Sequence, residues 1–238
     1  MGSWITLAKP EIAEIMVQAG FDWLTIDMEH SSTTISQAQE MIRTIELSGV
    51  FPFVRVGENN ANLIKRVMDA GAQGVIVPMV NSKADAGAAV AAVKYPPVGT
   101  RGVGLARAQK FGFGFEEYKK WVAEESIVIV QIEHIRAIEN LEAILSTPGV
   151  DGSIIGPYDL SGSLGWPGEF DRPEVKEALQ QYEKVCDALK KPKGFHIVQP
   201  DSEKTKLYIG NGYSFLAVGL DTLYLGHKCR EVMKGINK

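Results

Sequence analysis

Eight short apolar runs, each about the length of a β-strand, are separated by segments of helical periodicity, and no other feature limits the possible folds of this chain as strongly. The runs are SWITL, WLTID, PFVRV, GVIVPM, IVIVQIE, GSIIG, KGFHIV and SFLAVG. They are rich in Ile, Val and Phe, as strands buried on both faces require. Between them, Ile12, Ile15, Met16 and Ala19 fall at helical spacing, with Pro10 just inside the start and Gly20 just past the end. Ile35, Ala38, Ile42 and Ile45 form a second stripe that ends before Gly49, and Leu63, Ile64, Val67 and Met68 form a third that stops at Gly71. Further helices are expected at about 82–93, 135–145, 173–190, 201–210 and 221–236. Eight strands, each followed by a helix, is the count that closes an α/β (β/α)8 TIM barrel. An open doubly wound sheet is the alternative, but the first strand lacks the glycine-rich fingerprint such sheets carry.

With 45% hydrophobic residues in 238, the chain has enough apolar material for one core. It contains no internal repeat, low-complexity tract or linker, so a single domain over 1–238 is expected. A net charge of −4 without a Lys/Arg cluster argues against nucleic acid as a partner. No signal peptide and no apolar run near 18 residues is apparent, so a soluble cytoplasmic protein without membrane contact is expected. Cys186 and Cys229 have no metal-site spacing and read as reduced thiols. One stretch breaks the short-loop pattern. Residues 95–114, YPPVGTRGVGLARAQKFGFG, are long and glycine-rich, as functional loops tend to be. Phe111, Phe113 and Phe115 are expected to pack it down. Arg101 and Arg107 would either meet an acidic substrate or solvate the loop.

In a (β/α)8 barrel the chemistry sits at the C-terminal ends of the strands, so those ends define the candidates. Strand 2 ends in Asp27, Glu29 and His30, and strand 3 carries Arg55. An arginine on a strand interior binds an anion or stabilises one that develops. His30 is a candidate acid/base, being the side chain that titrates near neutral pH. Gln131 and Glu133 alternate at the end of strand 5 and should both point into the mouth. A buried Glu without a purpose is costly. With Asp159 after strand 6, Glu133 could hold one hard divalent cation, although Asp159 could instead cap a helix. His196 reads as a hydrogen-bonded core residue. Asp69, near a helix C-terminus where the macrodipole disfavours an anion, reads on pattern alone as a structural accident. Metal, arginine and histidine around a polar mouth suit chemistry through an enolate.

The stretches GFDWLTIDMEHS, PFVRV, GAQGVIVPMV, KYPPVGTRGVG, VIVQIE, GVDGSIIGPYDLSGSLG and FLAVGLDT together resemble the HpcH/HpaI aldolases, which are class II, metal-dependent pyruvate aldolases. The joint occurrence of DMEH, QIE and IGPYDLS is specific, and the resemblance spans nearly the whole chain. It implies a barrel of the phosphoenolpyruvate/pyruvate type, with its last helix swapped between subunits of a homo-oligomer, a hexamer. It also implies reversible cleavage of a 4-hydroxy-2-oxo acid to pyruvate and an aldehyde through a metal-bound pyruvate enolate.

By that resemblance Glu133 and Asp159 are the ligands of a Mg2+, Mn2+ or Co2+ ion. Gln131 contacts the pyruvyl group, and the backbone around Gly156, Pro157 and Tyr158 surrounds its carboxylate. Arg55 stabilises the enolate oxygen, His30 is the acid/base, Asp69 pairs with that histidine, and Asp27 and Glu29 support the site. Members usually carry a further N-terminal segment that covers the barrel bottom. This sequence begins Met1-Gly2-Ser3-Trp4, so that cover is expected either to be absent or to have been trimmed from this sequence, with consequences for stability and assembly more than for chemistry. A coenzyme A-ester lyase of the same superfamily is the nearest alternative, disfavoured by the weak basic clustering. A non-catalytic barrel that serves as a binding scaffold is the other, disfavoured by the intact set of charged positions.

Overall fold

The computed structural model describes residues 1–236, which form one closed barrel of eight parallel strands joined in sequence order, β1 to β8. The strands are β1 (Gly2–Ile5), β2 (Trp23–Asp27), β3 (Phe51–Arg55), β4 (Gly74–Val77), β5 (Ile127–Ile132), β6 (Gly152–Ile155), β7 (Lys193–Ile197) and β8 (Phe215–Leu220). All eight apolar runs are therefore strands, each bounded within two residues of its expected end. Closure by pairing of β1 with β8 rules out the open sheet.

Inside the barrel, aromatic rings fill the lower layers. Trp23 stacks on Phe215 at 4.3 Å between centroids, and Phe53 tilts against both. Such rings fit because neighbouring positions carry no side chain. A Cβ on Gly2 would come within 2.1 Å of the Trp23 ring, and one on Gly74, the register partner of Phe53, within 2.3 Å of that ring. The strands' other faces meet the surrounding helices in a larger core that includes Ile26, Val54, Val75, Val130 and Ile155.

The outer helices are α1 (Pro10–Val17), α2 (Ile35–Leu47), α3 (Ala61–Ala70), α4 (Lys83–Val93), α5 (Phe115–Glu124), α6 (Ile135–Glu139), α7 (Leu141–Leu145), α8 (Pro157–Ser163), α9 (Pro173–Leu189), α10 (Ser202–Gly210) and α11 (Asp221–Ile236). Their ends are set by local chemistry. Thr34 and Gln37 form a reciprocal capping box on α2, and Gly71 closes α3 at φ 107°. The helix expected at 135–145 is two short helices that break at Asn140. α5 and α8 went unread in the sequence. None of the helices is long and apolar enough to cross a membrane among the described residues.

The long stretch 95–114 is only partly packed down. Phe115 reaches the Tyr95–Tyr118–Val122 cluster, but Phe111 and Phe113 are 70% and 96% exposed, so the expectation that all three pack inward is wrong for two of them. Lys110 and Phe111 take left-handed backbone there. α11 likewise leaves Leu225, Val232, Met233 and Ile236 exposed.

Candidate active site

Asp27 and Arg55 are the last residues of β2 and β3 and are direct register partners. Their side chains meet in a bidentate pair, Arg55 Nε to Asp27 Oδ1 at 3.0 Å and Nη2 to Oδ2 at 2.7 Å. Asp27 Oδ1 also accepts the backbone N–H groups of Glu29 and His30, so one carboxylate both anchors the arginine and shapes the turn that carries the histidine. Burial pushes the Asp27 carboxyl up, but the hydrogen bonds and charge of Arg55 outweigh it and hold the group below its usual range. Arg55 Nη1 lies 3.2 Å from Glu29 Oε2, and its guanidinium rests 4.2 Å above the Trp4 ring. Glu29 is raised, first by burial and then by repulsion from Glu133 and Asp27, against the pull of Arg55. The arginine is thus fixed on three sides, which pre-aligns its remaining N–H groups toward the mouth.

Across the mouth, Glu133 follows β5 and is 3% exposed. Its Oε1 accepts the Met79 N–H at 2.6 Å, and its Oε2 accepts from Gln131 Nε2. Burial raises its pKa, and repulsion from Asp159 adds to the rise, against these hydrogen bonds and Arg55. Asp159 sits in the first turn of α8, whose N-cap is Gly156, so it does not serve as the cap. A Cβ on Gly156 would lie 3.0 Å from Glu133 Cβ, so a larger residue there would have to displace Glu133 by a few tenths of an ångström.

The fit to a divalent cation can be judged from these atoms. Two mutually repelling carboxylates adjoin Gln131 Oε1, a buried oxygen with no hydrogen-bond partner. A hard cation would relieve the repulsion and give that oxygen a partner, directly or through water. No cluster of three His, Cys, Asp or Glu is found among the described residues, so a bound ion would complete its shell with water or substrate oxygens. The donor set fits such a group.

A cavity of about 490 Å3 opens here, lined by Trp4, His30, Arg55 and Gln131 on one side and by Gly156, Pro157, Tyr158 and Asp159 on another, with Glu133 bonded to Gln131 beside it. His30 stands exposed at its rim, with Nε2 3.8 Å from Glu29 Oε2. Asp69 is elsewhere. It lies in the last turn of α3, which descends from the C-terminal end of β3 to the N-terminal end of β4, so it sits at the opposite face of the barrel from His30. There its Oδ1 accepts from Arg101 Nη2 at 2.6 Å and from Gln109 Nε2 at 3.4 Å. Arg101 neither solvates the loop nor enters the cavity: it is buried, bonded to Tyr118 Oη as well as Asp69. Arg107 binds Glu46 and the Ala70 carbonyl, tying the long stretch to α2 and α3.

Two contributors escaped the sequence reading. Trp4 supports Arg55 from β1, and Met79 presents its N–H from a left-handed backbone, φ 53°. His196, read as a hydrogen-bonded core residue, is bonded to the Gly219 carbonyl and also lines the cavity. Inward alternation along β1 could have flagged Trp4; nothing local marks Met79.

The family model described as HpcH/HpaI aldolase/citrate lyase matches residues 1–227. The chain is 39% identical over 226 residues to the 2-keto-3-deoxy-L-rhamnonate aldolase of Klebsiella pneumoniae, covering 94% of this chain and 83% of that protein. It is 38% identical over 234 residues to the hydroxypyruvate/pyruvate aldolase of Pseudomonas aeruginosa, covering 98% of this chain and 86% of that one. Among solved structures, an HpcH/HpaI aldolase/citrate lyase family protein from Burkholderia cenocepacia J2315 superposes with a TM-score of 0.92 at 31% identity, over 100% of this chain and 94% of its own.

Proposed function

The chain belongs to the HpcH/HpaI aldolase/citrate lyase family, and from that premise we propose that it reversibly cleaves a 4-hydroxy-2-oxo acid to pyruvate and an aldehyde. It is an aldolase, a carbon–carbon lyase. The observation that carries the proposed reaction is one cavity bordered by a fixed arginine, by the exposed Asp159 and by Gln131 with its orphan amide oxygen, with the buried Glu133 bonded to that same Gln131.

Glu133 and Asp159 are the residues that would hold Mg2+ or Mn2+, with Co2+ also suited to oxygen donors. Such a cation supplies Lewis-acid polarisation of the substrate's keto oxygen. Gln131 and the backbone from Gly156 through Tyr158 receive the 2-oxo acid end; Pro157 contributes no N–H. His30 takes the proton of the C4 hydroxyl, the C3–C4 bond breaks, and its electron pair passes into the enolate of pyruvate while the aldehyde leaves. The N–H groups of Arg55 not bound to Asp27 face the oxygen on which charge develops, where one such donor is worth roughly 10²-fold or more in rate. Return of a proton to C3 gives pyruvate.

Asp69 enters this scheme only through assembly. Since it and His30 occupy opposite faces of one barrel, their pairing would be made between two copies in a homo-oligomer, a hexamer with α11 exchanged between subunits. The outward-facing Leu225, Val232, Met233 and Ile236 of α11 support that arrangement, as do Phe111 and Phe113 in the stretch that also holds Arg101.

The test is a pyruvate-release assay across a panel of 4-hydroxy-2-oxo acids. EDTA should abolish turnover and Mn2+ should restore it. Turnover indifferent to both, or absent throughout the panel, would overturn the reading.

A further inference from the structure

The long stretch 95–114 and α5 direct their polar side chains at three successive residues in the last turn of α3. Tyr118 Oη donates to the Met68 carbonyl at 3.1 Å, Arg101 Nη2 to Asp69 Oδ1 at 2.6 Å, and Arg107 Nη1 to the Ala70 carbonyl at 3.1 Å. Gln109, itself buried, adds a longer bond to Asp69 Oδ1 at 3.4 Å and donates to Tyr95 Oη at 2.8 Å. Arg101 is enclosed in turn. Its side chain is 0% exposed, both Nη atoms donate to Tyr118 Oη at 3.1 Å, and its Cζ lies 4.8 Å from the centre of the Tyr95 ring. Burial pushes the Tyr118 phenol up to about 12, against the pull of Arg101, so Oη keeps the proton it gives to Met68.

A pair built for stability alone would use both carboxylate oxygens, as Asp27 does with Arg55. Here Arg101 and Gln109 hold the same oxygen, Oδ1. Oδ2 accepts no hydrogen bond among the described residues and is not sealed, and even a Cβ on Gly104 would stand 3.7 Å from it. The place is also unfavourable for an anion. The last turn of a helix opposes negative charge, and Arg101 leaves its own Nε buried without a partner. A network that seals a guanidinium and strands one of its N–H groups, to present one free carboxylate oxygen, gives up stability for geometry.

We propose that Arg101 and Tyr118 are positioning residues that clamp the end of α3 and aim Asp69 Oδ2 out of its own copy, at His30 of the partner subunit. This rests on the pairing of Asp69 with His30 across copies proposed above, and it gives the long stretch its task. Arg101 is sealed from any substrate, so it acts only through the carboxylate it holds.

The experiment follows pyruvate release with Mn2+ by the full chain carrying Arg101→Lys or Tyr118→Phe. Lysine keeps the charge but not the planar fork that joins Tyr118 to Asp69, and phenylalanine keeps the ring without its oxygen. Arg101→Lys should lose at least ~10-fold in kcat with KM little changed, because a displaced group costs rate before binding. Tyr118→Phe should lose less. Each variant is then unfolded, mixed with a second one and refolded. Arg101→Lys with His30→Ala should exceed the mean of the separate samples several-fold, because mixed interfaces join an intact His30 to a well-held Asp69. Arg101→Lys with Asp69→Asn should show no gain, since both defects lie on the same side of the interface. Damage confined to the variant's own barrel would be rescued by neither partner. Tyr118→Phe should follow the same pattern and supplies the reading if the lysine variant folds poorly. Near wild-type activity in both variants, or no rescue of either by His30→Ala, overturns the clamp. A control mixture of His30→Ala with Asp69→Asn that shows no gain overturns the pairing across copies, and the clamp with it. No pyruvate release by the wild type overturns the aldolase reading on which both stand.

Discussion

Arg55 is held by Asp27, Glu29 and Trp4, and a residue fixed this completely contributes through orientation as much as through charge. Arg55→Ala is therefore expected to lower kcat by at least ~10²-fold, and Arg55→Lys to recover little of it, because a single ammonium cannot make the bidentate bond and still face the cavity. Steady-state kinetics on both variants check this. Glu133 permits a prediction on stability. Burial, with repulsion from Asp159, raises its pKa above the usual 4.5, so the folded state keeps that proton to higher pH than the unfolded chain does. Its stabilising contribution is complete below pH 4.5 and is lost as pH rises through the raised value. In Glu133→Gln the new amide oxygen still accepts the Met79 N–H, and its NH2 group can donate to the orphan Gln131 Oε1 once that amide turns. In EDTA at pH 7 this variant should gain about 1 kcal/mol, a Tm roughly 2–4 °C higher, while losing activity. A Tm below wild type in calorimetry would contradict the account. At this scale the sequence was informative where a charged residue interrupts a strand, as with Arg55 and Glu133. It was misleading for Arg101, whose buried partners Asp69 and Tyr118 lie 32 and 17 positions away.

Elements were legible wherever one periodicity ran unbroken. WLTID is β2 residue for residue, and Pro10 and Gly71 mark a real helix start and a real helix stop. α5 was missed because FEEYKKWVAE buries only Tyr118 and Val122 and follows a glycine-rich run, so its apolar stripe is thin. Beside that thin stripe, a distant lysine also holds α5. Lys94, 8% exposed, follows α4 and donates through Nζ to the carbonyls of Val122, Ala123 and Ser126 at the C-terminal end of α5, at 2.7, 3.3 and 3.1 Å. A cation there satisfies carbonyls that have no helical partner and complements the dipole. Burial lowers its pKa, yet three acceptors keep the ammonium solvated by protein. Lys94→Met leaves those carbonyls buried and should cost about 2–3 kcal/mol in urea unfolding with an unchanged m-value. A loss under 0.5 kcal/mol would mean that the carbonyls find other donors.

For the whole molecule, the separation of Asp69 from His30 gives the clearest expectation. If the two act together across copies, His30→Ala and Asp69→Asn are each nearly inactive alone. Unfolded together and refolded as a mixture, they regain a substantial fraction of wild-type activity, because some interfaces then carry both intact residues. Activity of the mixed sample against the separate ones measures this, and no gain on mixing would place Asp69 outside the reaction. Taken by itself, the sequence determined the eight strand–helix units and the ends of the strands at which charged residues collect. Both are properties of short segments, where side-chain period and burial on two faces act over a few residues. Only the tertiary structure decided that the sheet closes and that Asp27 meets Arg55. It likewise decided that Asp69 is committed to Arg101 and that His196 lines the cavity. Those outcomes depend on register between strands and on contacts between residues far apart in the chain, and such geometry is fixed only when the barrel shuts.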